Sequence, residues 1–238
     1  MAHKKLWDQL DLSYFMRHDG DDIAWHTRHL SKALALPSSD MRKSCLVRAR
    51  RSQVNDGLQV MVFAPDQTDL FARICGYFDK AGFSILDARI HNTNSGNALD
   101  TFQVTSPHVA EQHRAYVGMV EAELSALIDK KTPLPQAHMG RLSRRVKSFP
   151  MPARVDLRPD DKAQHWLLTI SASDRTGLLY GVARTLALHS VSVELSKITT
   201  LGERVEDTFL VSGEALLSQK SRIALETELL DVLNESPA

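Results

Sequence analysis

Long apolar runs are missing from this sequence. No stretch approaches the roughly 20 residues that cross a bilayer, and the opening MAHKKLWDQLD lacks the apolar core of a signal peptide. Cysteine is nearly absent: Cys45 and Cys75 stand alone, without CxxC spacing, and offer neither a disulfide framework nor a zinc site. A cytoplasmic, reducing location is the expectation. Net charge is also missing, since 29 basic side chains balance 29 acidic ones, so the molecule as a whole exerts no pull on nucleic acid or anionic membrane. Aromatics make up 6%. A base-stacking sheet needs several on one open face; the strands supply Phe102, Phe209 and Trp166 singly, where core residues are expected, and there is no RNP-like run. GxSxG, HExxH and GxxxxGK[ST] do not occur. This stretch is expected to hold no catalytic residues, no metal and no cofactor, and to bind neither nucleic acid nor membrane.

What is present is a duplication. PDQTDLF, from Pro65, aligns with SDRTGLL, from Ser173, at an offset of 108 positions. LQVMVFA (Leu58 to Ala64) and WLLTISA (Trp166 to Ala172) precede these loops and read as strands. Each loop opens a helix with apolar residues at helical spacing: Leu70, Phe71, Ile74, Cys75 and Phe78, then Leu178, Leu179, Val182, Ala183 and Leu186. Two strands follow in each copy, FSILDARI and ALDTFQV, then VSVELSKI and VEDTFLV. The triplet DTF recurs at Asp100 and Asp207, now offset by 107, so the hairpins turning at NSGN and LGER differ by one residue. A closing helix is predicted over Val109–Ile128 and Leu217–Leu233, and CLVRARR and ARVDLRP supply a leading strand joined through the turns NDG and DDK. The unit is therefore ββαββα. With its leading strand on the edge that a βαββαβ unit gives to its last, it predicts a circularly shifted ferredoxin-like layer: α+β, four antiparallel strands with two helices on one face.

Residues 132–152 read as a proline-bounded linker made basic by Arg141, Arg144, Arg145 and Lys147, a solvated run or a docking surface for an acidic neighbour. Residues 1–40 match neither repeat. DLSYFMRH and DDIAWHTRHLSKALA read as two helices broken at Asp19–Gly20, a connector rather than a domain. Its HDGDDIAWHTRH is tempting as metal chemistry, but His26 and His29 lack the convergent third and fourth ligands of a divalent site, and the expectation is a surface helix.

SDRTGLL carries the remaining chemistry. A strand entering a helix leaves N–H groups unpaired. Asp174 or Thr176 is placed to cap them, and Gly177 permits close approach. As a lone motif it reads first as a capped helix start. A phosphate cradle would use several glycines and no acid. A zwitterionic amino acid fits better, its carboxylate toward the helix N–H groups and its ammonium toward Asp174.

The two units resemble ACT domains, small modules that bind amino acids and regulate linked enzymes. PDQTDLFARICGYFDKAGFSILDARIHNTNSGNALDTFQV and DRTGLLYGVARTLALHSVSVELSKITTLGERVEDTFLV are similar to the tandem ACT pair of the bifunctional uridylyltransferase/uridylyl-removing family of nitrogen control, and YFMRHDGDDIAWHTRHL resembles the helical segment joining that family's HD domain to the pair. The resemblance covers nearly the whole chain. It implies a C-terminal fragment divided into a connector (1–40), a first ACT domain (45–131), the linker (132–152) and a second ACT domain (153–238). It further implies glutamine as effector, the signalling protein PII as substrate of the parent, and upstream nucleotidyltransferase and HD domains that use magnesium. A plain interaction module that binds no small molecule is the alternative, and pairing within one chain or across a homodimer stays open.

ACT ligands sit between the strand-helix loop of one module and the second strand of its partner. By resemblance this nominates Asp174, Thr176, Gly177 and Leu178 with Ser84, Ile85 and Leu86. The reciprocal site takes Asp66, Thr68, Asp69 and Leu70 with Ser192, Val193 and Glu194. Asp69 departs from the pattern by replacing the glycine, so the Gly177 site is expected to be the stronger, unless the extra carboxylate grips an ammonium.

Overall fold

The structure is a computed structural model that describes residues 2–33, 45–107, 109–137, 140, 151–160 and 165–235. Helices come first: α1 (Ala2–Trp7), α2 (Leu12–Arg17) and α3 (Gly20–Ala33). Asp11 caps α2 by accepting the Tyr14 N–H at 3.1 Å, and Asp19 accepts the Asp22 N–H at 2.8 Å as α3 begins. The break falls at Asp19–Gly20 as expected; α1 is an addition to the two helices read from the sequence.

The first repeat then supplies β1 (Leu46–Arg51), β2 (Leu58–Pro65), α4 (Leu70–Lys80), β3 (Ser84–Arg89), β4 (Asn97–Thr105) and α5 (Val109–Lys130). The second supplies β5 (Arg154–Pro159), β6 (Trp166–Ser173), α6 (Leu178–Leu188), β7 (Ser192–Lys197), a two-residue β8 (Thr200–Leu201), β9 (Arg204–Ser212), a 3₁₀ turn at Glu214–Leu217 and α7 (Gln219–Asn234). The sheets run β1-β2-β4-β3 and β5-β6-β9-β7, antiparallel throughout, with β8 as an appendage on β9. Both are the circularly shifted ferredoxin-like layer, the leading strand holding the edge beside the second. The one-residue difference between the hairpins falls where the second copy forms β8 and the first only an isolated bridge, Asn92 to Ala98.

The duplicated strands differ in burial for a reason visible in their residues. β6 alternates, with Leu168, Ile170 and Ala172 inward and Leu167, Thr169 and Ser171 partly exposed, because helices cover one face of its sheet. β2 is buried from Leu58 through Ala64. Its outward Met61 and Phe63, with Leu99 of β4, pack against Leu6, Leu10, Tyr14, Trp25 and Leu30 of the leading helical segment. The equivalent outward residues of the second sheet are Thr169, Ser171 and Glu206, which suit water. The first sheet thus has no open face for base stacking.

The inward faces share a core. Phe71 of α4 meets Phe102 and, edge-on at 6.1 Å, Phe209 of the other module, so the two modules pack against each other within this chain. Tyr180 of α6 donates to the Pro135 carbonyl at 2.6 Å, holding the start of the inter-module segment.

The NDG turn fixes the β1–β2 register tightly. A Cβ on Gly57 would lie 2.0 Å from the Val104 carbonyl oxygen, a backbone atom unable to swing aside. Gly57→Ala is therefore expected to lower Tm by about 5 °C, from roughly 1–3 kcal/mol of overpacking; a melting curve superimposable on wild type would contradict it.

The basic cluster Arg141, Arg144, Arg145 and Lys147, residues 34–40 and two positions of the DDK turn lie outside the described residues. Among the described residues no helix is long and apolar enough to cross a membrane.

Candidate functional site

β6 delivers the chain into α6 through Asp174, Arg175 and Thr176. Gly177 adopts φ +82°, a left-handed conformation that costs glycine little, and serves as the helix N-cap residue. Among the described residues no side chain caps the helix. The expected capping by Asp174 or Thr176 is thus corrected: the Asp174 carboxylate accepts the neighbouring Arg175 N–H instead, and the Leu178 N–H goes to the Arg175 carbonyl at 3.2 Å. The remaining N–H groups of the first turn of α6 have no side-chain partner among the described residues, an attraction for an anionic group.

Two ties hold this loop. Asp174 donates its backbone N–H to the Glu203 carbonyl at 2.8 Å, fastening it to the β8–β9 turn. Arg175 turns away and is buried, its guanidinium donating to the carbonyls of Val232 at 2.9 Å, Leu233 at 3.0 Å and also Glu235. Those are the terminal carbonyls of α7, where a cation is favoured.

Across from the loop runs β3, an edge strand whose outer side faces β7 of the other module without forming a ladder. Its pairing with β4 slips between Ile85 and Asp87, so Leu86 sits at a bulge. β7 carries the matching irregularity between Val193 and Leu195, at Glu194. The duplicated fold therefore bends both edge strands where they meet.

Between the β6–α6 loop and β3 opens a crevice of about 390 Å³. Asp174, Thr176, Gly177 and Leu178 line one wall, Ser84, Ile85 and Leu86 the other: the structure brings together all seven residues nominated for the first site. Cys75 and Asp79 of α4 and Asp207 of β9 complete it. Among the described residues its charged lining is Asp79, Asp174, Glu203 and Asp207 against Arg175, whose charge is directed at α7. These acids suit a cationic group.

Asp207 is a residue whose role sequence reasoning missed. It lies on the inward side of β9 with Val205, Phe209 and Val211, and is 5% exposed. Burial pushes its carboxyl up to about 7, Asp174 adds to the rise, and the Thr199 N–H donated to its Oδ1 at 3.1 Å works the other way. Asp174, at the mouth, is raised by partial burial. Burial likewise raises the Cys75 thiol, reinforced by Asp100, Asp207 and Asp79, so it is inert toward thiolate chemistry at neutral pH. Asp100 repeats the Asp207 arrangement in the first module, accepting the His91 N–H with Asp66 nearby. The signal was the repeated DTF: an acid kept twice at an inward strand position.

The reciprocal residues also converge, but they are held differently. Ser192 Oγ donates to Thr68 Oγ1 at 3.4 Å. Asp66 is raised by burial and by Glu194. Glu194 accepts from Asn92 Nδ2 at 2.6 Å and from Ser212 Oγ. Leu70 is buried, and Val193 packs on the core. Asp69 pairs with Arg73 at 2.5 Å, so its carboxylate already has a cation.

The leading helices hold a second polar cluster. Asp22 Oδ1 accepts from Arg50 at 2.6 Å and Gln59 at 2.7 Å, and Oδ2 from Arg89 at 3.2 Å, with His18 Nδ1 at 3.4 Å. Burial alone would raise this carboxyl; the His18 and Gln59 hydrogen bonds outweigh it and hold it well below the usual range. Beside it, His26 is fully buried, with Tyr14 Oη 2.7 Å from Nδ1 and Thr101 Oγ1 3.3 Å from Nε2. Burial, then neighbouring His18, lowers both His26 and His91 to about 3, so both are neutral. This corrects the surface-helix reading: His18 and His26 face the sheet because Met61, Phe63 and Leu99 draw that side of the helices inward, and His29 is half-buried. Among the described residues no group of three or more His, Cys, Asp or Glu is arranged to hold a metal ion.

Comparison with known proteins places this geometry in context. Residues 1–29 match the family model described as the uridylyltransferase GlnD fifth domain. Bifunctional uridylyltransferase/uridylyl-removing enzymes of Ralstonia nicotianae and Cupriavidus metallidurans are each 52% identical, over 98% and 97% of this chain. That of Burkholderia mallei is 49% identical over 96%. The chain spans only 27%, 26% and 26% of those relatives, respectively. By sequence the chain therefore matches, along nearly its whole length, one region of the bifunctional uridylyltransferase/uridylyl-removing enzymes.

Proposed function

We propose that this region is the amino-acid sensor of a longer cytoplasmic enzyme that attaches UMP to, and removes it from, the PII signalling protein, with glutamine as effector and catalysis in domains outside this chain. The observation that carries the reading is the inter-module crevice. Its volume suits a small metabolite, its acids suit an ammonium, and the uncapped start of α6 suits a carboxylate. The reciprocal loop is the weaker candidate because Arg73 already occupies Asp69.

The geometry supplies a route outward. Ser84–Leu86 line the crevice, while Arg89, at the far end of the same strand, bonds Asp22 of α3. Arg17 of α2 donates to the Ser196 carbonyl on β7, and Ser196 Oγ donates to the Ala88 carbonyl at 2.9 Å. A ligand that shifts one module against the other thus pulls on the leading helices. Differential affinity for two such states of about 1–3 kcal/mol is the ordinary scale of coupling.

In a thermal-shift screen over the twenty amino acids, glutamine at a hundredfold excess over its dissociation constant is expected to raise Tm by about 5–10 °C. Gly177→Leu, forced into a left-handed conformation at the crevice wall, is expected to abolish the shift. No response to millimolar glutamine overturns the sensor reading. Stabilisation only by PII or by catalytic domains would assign this region to docking.

A further inference from the structure

This inference rests on the effector reading above and concerns how the crevice recognises its ligand. We propose that Asp207, aided by Asp174, holds the ammonium of the bound amino acid and makes that ammonium the condition of binding. Four observations converge. Asp207 lies inside a crevice large enough for a ligand. It is 5% exposed, and its Oδ1 is fixed by the Thr199 N–H at 3.1 Å. The guanidinium that lines the same crevice, Arg175, is committed to the carbonyls of α7 and does not neutralise it.

Burying a carboxylate without a cation beside it is a costly arrangement. An ammonium arriving beside it restores a charge-assisted hydrogen bond in a partly dry site. A neutral nitrogen restores less, and an N-acylated ligand brings bulk without charge. The acid therefore discriminates against deaminated and acylated analogues, as a polar site does when its partner is missing.

The same contact links binding to protons. Among the described residues the titratable and charged groups around Asp207 are Asp174 and Arg175 on the β6–α6 loop, Glu203 on the β8–β9 turn, Tyr180 on α6, and Cys75 and Asp79 on α4. Burial and Asp174 hold Asp207 at about 7, so below neutrality the free protein carries a proton there. Binding an ammonium selects the ionised carboxylate, and the proton passes to buffer.

The test is isothermal titration of L-glutamine into the 238-residue chain at pH 6.0 and pH 8.5, each in two buffers of different ionisation enthalpy. Wild type is expected to release close to one proton per glutamine at pH 6.0 and almost none at pH 8.5. Asp207→Asn is expected to bind at least tenfold more weakly and to release no proton, and N-acetyl-L-glutamine to give no binding to wild type. Asp207→Ser serves as the second variant should the amide fail to fold. Glutamine binding that is unchanged in the folded variant, or equal affinity for the N-acetyl compound, overturns the role of Asp207 and leaves the effector reading standing. Absence of any glutamine binding by wild type overturns both.

Discussion

Asp22→Ala is expected to lower Tm by about 10 °C and to release α1–α3 from the first sheet while both sheets persist. The carboxylate accepts from Arg50, Gln59 and Arg89 at 2.6, 2.7 and 3.2 Å, with His18 at 3.4 Å. It is 5% exposed, so removing it takes the carboxylate from two guanidinium groups and a buried amide in a partly dry interface, leaving Arg89 with Asp87 at 3.0 Å and Arg50 with Gln59 at 2.6 Å. Breaking a buried pair by deleting one partner costs roughly 3–5 kcal/mol, and each kcal/mol moves Tm by about 2–4 °C in a domain of this size. Arg50 also lies 4.3 Å over the Trp25 ring. Two readings check it: the melting curve, and hydrogen exchange in α3, which should rise to near-unfolded rates. If α3 stays protected, apolar packing of Leu6, Tyr14, Trp25 and Leu30 suffices to hold the segment. Asp22→Asn, which keeps half the hydrogen bonds, should fall between.

Acidification attacks the same junction from another side. His26 and His91 have folded pKa values of about 3 against an ordinary value near 6.5. Above about pH 6.5 both folded and unfolded states hold them neutral, and their contribution is fully present. As pH falls below 6.5 the unfolded chain takes up protons that the fold refuses, so stability declines until about pH 3. Each tenfold in proton affinity is about 1.4 kcal/mol, giving a combined loss near 4 kcal/mol by pH 5. Asp207 acts oppositely. Its folded value of about 7 lies above the ordinary 3.8, so stability is gained as pH falls from about 7 toward 4. The two partly cancel in wild type. In an Asp100→Asn/Asp207→Asn background, which also removes the other carboxyl that burial holds well above its ordinary range, lowering the pH from 7 to 5 is expected to reduce Tm by about 10 °C. Adding His26→Gln and His91→Gln should flatten that decline. A Tm that climbs steadily on acidification in the Asp100→Asn/Asp207→Asn protein would refute the assignment of buried neutral histidines. The leading helices should open first, because His26 and Asp22 lie within them.

How far the sequence reaches is best judged at particular residues. The repeat offset of 108, the shared DTF and the leading strand of each copy were enough for strand order, since a leading strand has one vacant edge to fill. The seven residues of the first nominated site share one crevice because a glycine with φ +82° and a bulged edge strand are local features of the chain, the bulge alone being common to both copies. The histidines were misjudged for an equally physical reason. Their helix buries one face carrying Trp25 and Leu30, and their burial depends on what the other side of β2 offers. Met61 and Phe63 against Thr169 and Ser171 held that information, in a comparison of the two copies rather than in the helix.

Local chemistry and internal repetition therefore settled the kind of module, its strand order and the loop that borders the crevice, because backbone periodicity and turn residues act over short distances. Only the folded chain decided which charges would be desolvated together. It decided that Arg175 turns to α7, that Arg73 takes Asp69, that Asp207 faces the crevice, and that Asp22 clamps the leading helices to the sheet. Charge in water is cheap and nearly independent of its neighbours. Once packed against residues tens or hundreds of positions away, its energy depends on partners that no local pattern names.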